Sequence, residues 1–168
     1  MADKKFSQLT AKGASLAATD LLPISEVSGA SYVSKSVTGA NIRAYAQTKL
    51  PADIFLVCSD ETTALTTGTK LTFRMPYRMT LTSVRASLTT AQASGNIFTI
   101  DVHENGTTIF STKLTIDNTE KTSTTAATRE TISDNDLADD SEIQIIIDQV
   151  GNGTAAGLKV WLIGERYN

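Results

Sequence analysis

The chain has 168 residues, 15 Lys+Arg against 18 Asp+Glu and a net charge of -3. That length suffices for one domain with a real core, or one domain plus an arm, and the charge argues against nucleic acid as the main partner, which needs clustered cations. No apolar run reaches the roughly 18 residues of a membrane span, residues 1–6 lack the apolar core of a secretory leader, and a single cysteine, Cys58, excludes an internal disulfide framework.

Threonine fills about one position in six, and its β-branched side chain favours strands, with a hydroxyl suited to a wet sheet face. Residues 1–50 nevertheless read differently from the rest. Gly13-Ala14-Ser15, Ser28-Gly29-Ala30-Ser31 and Ser34-Lys35-Ser36 are small and polar. Phe6, Leu9, Leu16, Leu21, Leu22 and Ile24 can each dock on a neighbouring surface but are too sparse to build a core. One short helix is predicted from Gly39 to Lys49, with Thr38 as N-cap, Ile42, Tyr45 and Ala46 on one face, and Pro51 forbidding continuation. Residues 1–50 are thus expected to form an extended attachment arm carrying one helix, and residues 51–168 a separate β-domain.

From Asp53 the pattern is that of strands. Ile54-Phe55-Leu56-Val57-Cys58 is a continuous apolar run, expected to be covered on both faces. Met79–Leu88 alternates, with Thr80, Thr82, Val84, Ala86 and Leu88 expected on one face and Leu81, Ser83 and Arg85 on the other. Phe98, Ile100 and Val102 alternate with Thr99, Asp101 and His103, and Asn105-Gly106 supplies the two residues that a type I′ hairpin turn demands. That turn sets Val102 against Ile109 and Ile100 against Ser111, so Phe110 points the wrong way unless a bulge or a second covered face follows. Asp134–Asp140 reads as an acidic loop. Ile143, Ile145 and Ile147 share one face of a late strand, and residues 151–157 read as a loose connection. Leu158, Val160 and Leu162 then oppose Lys159, Trp161 and Ile163. Such spacing predicts an all-β, jelly-roll-like β-sandwich.

No convincing reaction centre emerges. His103, the sole histidine, lies on a wet face beside Asp101, where a solvated pair is the simpler expectation, and no nucleophile and base are evidently paired with it. Cys58 sits in an apolar run, where a buried inert thiol is expected. One Cys and one His cannot form an all-Cys/His zinc site. Asp134, Asp136, Asp139 and Asp140 are hard oxygen donors suited to calcium, but the EF-hand pattern fails at Ala138, Asp139 and Ile145, and a solvated turn is the better account. No catalytic residue, metal or cofactor is expected. Asn105-Gly106-Thr107 and Asn152-Gly153-Thr154 match the glycosylation sequon but are better read as turns. Trp161 and Tyr77 are able to stack a sugar, although packing in a core or at a subunit seam is the commoner fate of a strand tryptophan.

Two sets of motifs resemble a known family. Phe6-Ser7-Gln8-Leu9 through Thr19-Asp20-Leu21-Leu22-Pro23-Ile24-Ser25, on to Val37-Thr38-Gly39 and the short helix, is similar to the N-terminal attachment segment of tailed-phage fibre and head-fibre proteins. Thr80–Leu88, Glu104–Ile109, Glu120–Ser123 through Ser133-Asp134, Leu137–Asp140 and Gly157–Val160 resemble a β-domain of phage structural proteins. The resemblance implies a virion structural protein without enzymatic residues, commonly a homotrimer, made in the host cytoplasm and bound to the major capsid protein or another virion protein. With no shaft repeat, a capsid decoration (cement) protein on the head surface suits the chain best, the arm residues Phe6, Leu9, Leu16, Leu21, Leu22 and Ile24 making the partner contacts. The alternative is a head or tail fibre whose β-domain binds a host surface glycan.

Overall fold

A computed structural model describes residues 19, 21–28, 31–48 and 50–166. The chain divides into two compact units, residues 1–48 and 49–168. In the first, β1 (Leu21–Ser28) pairs antiparallel with β2 (Ser31–Thr38), and α1 (Gly39–Thr48) follows directly. The segment expected as an extended arm with one helix thus holds a hairpin as well. Leu21 faces Thr38 and Ser28 faces Ser31, so the ladder supplies hydrogen-bond partners that an isolated extended arm lacks. The helix begins where predicted, with the Asn41 amide donating to Thr38 Oγ1 at 3.0 Å, which satisfies one of the free donors of the first turn.

The second unit is the predicted all-β sandwich. Its strands are β3 (Leu50–Val57), β4 (Gly68–Arg74), β5 (Met79–Ser87), β6 (Phe98–Glu104), β7 (Thr107–Thr108), β8 (Phe110–Thr112), β9 (Leu114–Ile116), β10 (Thr131–Ile132), β11 (Asp136–Leu137), β12 (Glu142–Gln149) and β13 (Lys159–Arg166). One sheet runs β11-β5-β13-β3 and the other β4-β12-β6, with β7 and β9 both on the outer edge of β6. Strands β3 to β6 alternate between the two sheets, as do β11 to β13, and β13 enters between β3 and β5. That interleaving is the jelly-roll arrangement.

Alternation builds the core. Phe98, Ile100 and Val102 of β6, Ile143, Ile145 and Ile147 of β12, and Val160 and Leu162 of β13 are all fully buried. Each large side chain removed from water in this way stabilises the fold by about 1.5–3 kcal/mol.

Three strands depart from the sequence expectation. In β5, Leu81 and Val84 are both buried while Thr82 is exposed. The pairing with β13 slips between Ile163, opposite Ser83, and Gly164, opposite Leu81. Thr82 is therefore an extra residue in a β-bulge, and alternation restarts on the other phase after it. Gly164 permits the slip, because a Cβ there would lie 2.1 Å from the Thr80 carbonyl oxygen and 2.9 Å from the Leu81 Cα.

In β3, only Leu56 and the following Cys58 are buried, while Phe55 and Val57 are 48% and 56% exposed. The strand is an edge of its sheet, paired with β13 alone, so the apolar run is covered on one face and not on both.

The hairpin forms as predicted, with Asn105 at φ 49° and Gly106 at φ 82°, His103 opposite Thr108 and Glu104 opposite Thr107. The Ile109 amide still reaches the Val102 carbonyl at 2.9 Å. Ile100, however, pairs with Leu114 and not with Ser111. Residues 110–113 leave the ladder, and Phe110 and Thr112 pair with Ile132 and Thr131 of β10 instead. This excursion is how Ile109 and Phe110, adjacent in sequence, are both buried.

The connection expected to be loose is tied down. The buried Gln92 accepts from the Gly151 amide at 2.7 Å and donates to the Asn96 carbonyl and to Asn118 Oδ1. Ala156 exchanges backbone bonds with Thr90, and the Leu65 amide reaches the Ala155 carbonyl. A buried amide side chain with both donors and its carbonyl oxygen engaged is a rigid joint.

Candidate functional site

The two sheets turn different surfaces outward. On the five-stranded sheet, the excursion after Ile109 folds around Asp101, which is 1% exposed despite its position on the nominally wet face. Its Oδ1 accepts from the Val102 amide at 2.8 Å and from the Thr108 hydroxyl at 2.5 Å. Its Oδ2 meets Lys113 Nζ at 2.8 Å and His103 Nε2 at 3.2 Å. Lys113 also reaches Asp148. Burial pushes the Asp101 carboxyl upward, but the hydrogen bonds from Lys113 and Thr108 and the charge of Lys113, with a smaller part from His103, together hold it below its ordinary value. Bonds to Asp101 and Asp148 raise Lys113 in turn. Thr108 precedes the excursion and Lys113 closes it, so one carboxylate clamps both ends. The sequence expectation of a solvated His103–Asp101 pair is corrected, since Asp101 is buried. The arrangement acts as a latch.

On the four-stranded sheet the outward face mixes aromatic and aliphatic side chains with charged and polar ones. Phe55, Trp161 and Arg85 form one row across β3, β13 and β5, and Asp53, Ile163 and Ser83 form the next. The Phe55 and Trp161 ring centroids are 4.7 Å apart at an interplanar angle of 37°. Beside them a 3-10 turn, Ser123–Thr125, is bound to the free end of β5. The Ala86 amide donates to Ser123 Oγ at 2.9 Å, and the Leu88 amide to the Lys121 carbonyl at 2.9 Å. Thr122 caps that turn, accepting from the Thr124 amide, and the two threonine hydroxyls are 3.0 Å apart. Between the turn and the indole lies an open groove of about 280 Å³, lined by Arg85, Ser87, Thr122, Thr124, Trp161 and Ile163. Arg85 is exposed and, among the described residues, engages no carboxylate.

The other candidates are placed as follows. Cys58 is buried, and burial pushes its thiol up to about 12, the inert state expected. It directly follows β3 of the first sheet, and His103 lies on the outside of the second, so the two are not brought together. Glu104 accepts from the Ala138 amide at 2.8 Å. Of the acidic loop, Asp136–Leu137 forms a strand against β5, and Asp136 takes a bidentate pair from Arg78 at 2.9 and 2.5 Å. Among the described residues no three His, Cys, Asp or Glu are gathered as for a metal. Asn105 and Asn152 hold turns, accepting from the Glu142 and Ala93 amides. Tyr77 lies beneath Arg166, whose guanidinium carbon is 5.4 Å from the ring centroid, at the opposite end of β13 from Trp161. Of the arm residues, Leu21 is 65% exposed, Leu22 and Ile24 belong to β1, and Phe6, Leu9 and Leu16 lie outside the described residues. Sequence reading missed Arg85, Thr122 and Thr124 as neighbours of Trp161, a proximity set only by strand register and by the Ser123 anchor.

No protein-family model matches the chain, and neither a curated protein nor a solved structure does.

Proposed function

We propose that the chain is a virion structural protein of a tailed phage, of the capsid decoration type, attached to the head through residues 1–48. The observation that carries this reading is the N-terminal unit. Val37-Thr38-Gly39, part of the resemblance, falls at the junction where β2 passes into a helix capped by Thr38. The unit is distinct from the sandwich and presents Leu21 at 65% exposure, which suits a segment that docks on another protein.

The partner is the major capsid protein or another virion protein. Each docking side chain contributes about 1.5–3 kcal/mol, against about 1–2 kcal/mol per backbone residue that must be ordered. Durable attachment therefore calls for several copies acting together, as in a homotrimer.

The test is removal of residues 1–48. The remaining chain should fold, since every strand of the sandwich lies beyond the deletion, but should fail to add to particles lacking the native protein. Full-length protein should be present at hundreds of copies per particle. Normal particle binding by the truncated chain, or a few copies per particle, would overturn the proposal.

A further inference from the structure

We propose that the groove between β13 and the Ser123–Thr125 turn is a carbohydrate subsite for a pyranose that carries a carboxylate, with Trp161 as its stacking platform and Arg85 as its anion contact. This stands on the sandwich alone and does not depend on the virion proposal.

The floor of the groove is the indole of Trp161, half-buried and propped by Phe55 at 4.7 Å. A ring fixed from one side is a preorganised surface, and little side-chain freedom is lost when a ligand covers it. The C–H face of a pyranose is flat and apolar and matches such a ring, leaving its hydroxyls to the rim. The rim is supplied with hydroxyls. Thr122 and Thr124 share one hydrogen bond between their two side chains, so one hydroxyl hydrogen and several lone pairs remain to be used. The Ser87 hydroxyl, on the same wall, makes no hydrogen bond among the described residues.

Charge then selects the kind of sugar. Arg85 stands directly opposite Trp161 on β5, and no acidic side chain lines the groove. Asp53, the nearest acid in register, lies across Ile163 on β3. A guanidinium that, among the described residues, engages no acceptor is a fork shaped for a carboxylate. At about 280 Å³ the groove falls just below the usual range for small-molecule sites. It accommodates a sugar unit or two of a longer chain, not a deeply enclosed ligand, so one site binds weakly and repeated sites on an oligomer bind well.

The chain has one tryptophan, so its fluorescence reports on this groove alone. The probes are tetragalacturonate and its fully methyl-esterified form, which keeps the sugar chain but replaces each carboxylate with an uncharged methyl ester. Tetragalacturonate should change the Trp161 emission saturably, at a concentration about tenfold or more below that needed for the ester. Arg85→Gln, a change at an exposed residue that should leave the circular dichroism spectrum intact, should bring the two probes to equal affinity. Trp161→Phe, followed by calorimetry, should retain binding, and Trp161→Ala should lose it. The proposal is overturned by an absence of saturable change with tetragalacturonate. Unaltered discrimination between the probes in Arg85→Gln would also overturn it. So would emission that follows protein concentration alone with sedimenting dimers, since a second copy would then occupy the face.

Discussion

The outer faces of the two sheets began from similar raw material and ended differently. Both present mixed residues in alternation with a fully apolar inner face. On the five-stranded sheet the chain leaves the ladder after Ile109 and returns at Leu114, and the excursion covers the acid opposite it. Asp101 thereby changes from a surface residue into a buried, fully bonded one. On the four-stranded sheet no loop of residues 50–166 folds over Phe55 and Val57, and Trp161 remains half-exposed. Alternation along a strand decides which residues point outward. What outward means is decided by the neighbouring loop. A face that its own chain covers is spent on stability, whereas one left open is available to a partner.

The sharpest way to break this contrast is to remove the latch. Asp101→Ala leaves the Thr108 hydroxyl without its acceptor and Lys113 with Asp148 alone. Because Lys113 keeps that second partner and some exposure, the loss should fall at about 2–3 kcal/mol in urea unfolding, below the range for a wholly buried pair. A loss under about 0.5 kcal/mol would place Asp101 with ordinary surface residues and erase the difference between the faces.

A second, smaller effect follows from pH. The folded state holds the Asp101 carboxyl below its ordinary value of 3.8, so it favours the charged form. The resulting stability is present in full above that ordinary value and is lost as pH falls through the lower, folded value. Between about pH 5 and pH 2, the melting temperature of the native protein should fall more steeply than that of Asp101→Asn. Asp60 and Asp136, also held low by their hydrogen bonds, are common to both proteins and cancel in the comparison. Parallel curves would mean that Lys113 does not stabilise the charge.

The smallest effect belongs to the open face. Val57→Thr keeps a β-branched side chain at a position 56% exposed, and should change folding stability by no more than about 0.5 kcal/mol. Any self-association through this face should nevertheless weaken in sedimentation. A large loss of stability would show that Val57 is covered in the folded protein.

Much of the sandwich was legible because its signals are local. Asn105-Gly106 between alternating runs is enough for a two-residue hairpin, and Ile143, Ile145 and Ile147 of β12 declare their inner face by spacing alone. Thr38 ahead of Gly39 marked the helix start. The first hairpin went unread, although the dipeptide Gly29-Ala30 in the sequence is led by glycine, a known hairpin signal. Composition masked it, since β1 and β2 are rich in serine. Other features are not local at all. The bulge at Thr82 depends on Gly164, which approaches it only once β13 lies beside β5. The run Ile54–Cys58 is equally apolar whether one face is covered or two, and only its place at a sheet edge decides. Asp101 looked solvated because nothing near it in sequence announces that Lys113 will return to it. The groove required both kinds of knowledge: Trp161 was visible as an aromatic on a strand, but Arg85 and the Ser123 turn join it through register.

The position of β13 has a consequence for synthesis. Leu50 pairs with Arg166, and Met79 pairs with the same residue from the other side. Neither β3 nor β5 can pair with β13 until the ribosome has made nearly all of the intervening chain. Meanwhile the unit before Lys49, whose contacts are between residues close in sequence, is free to form first. Contacts so distant along the chain make closure slow, and two unpaired strand edges, one bearing Phe55 and Val57, stay open to other nascent chains. Crowded polysomes are therefore where this protein is most exposed to misassembly, and slowing translation before residue 159 should lower the soluble yield.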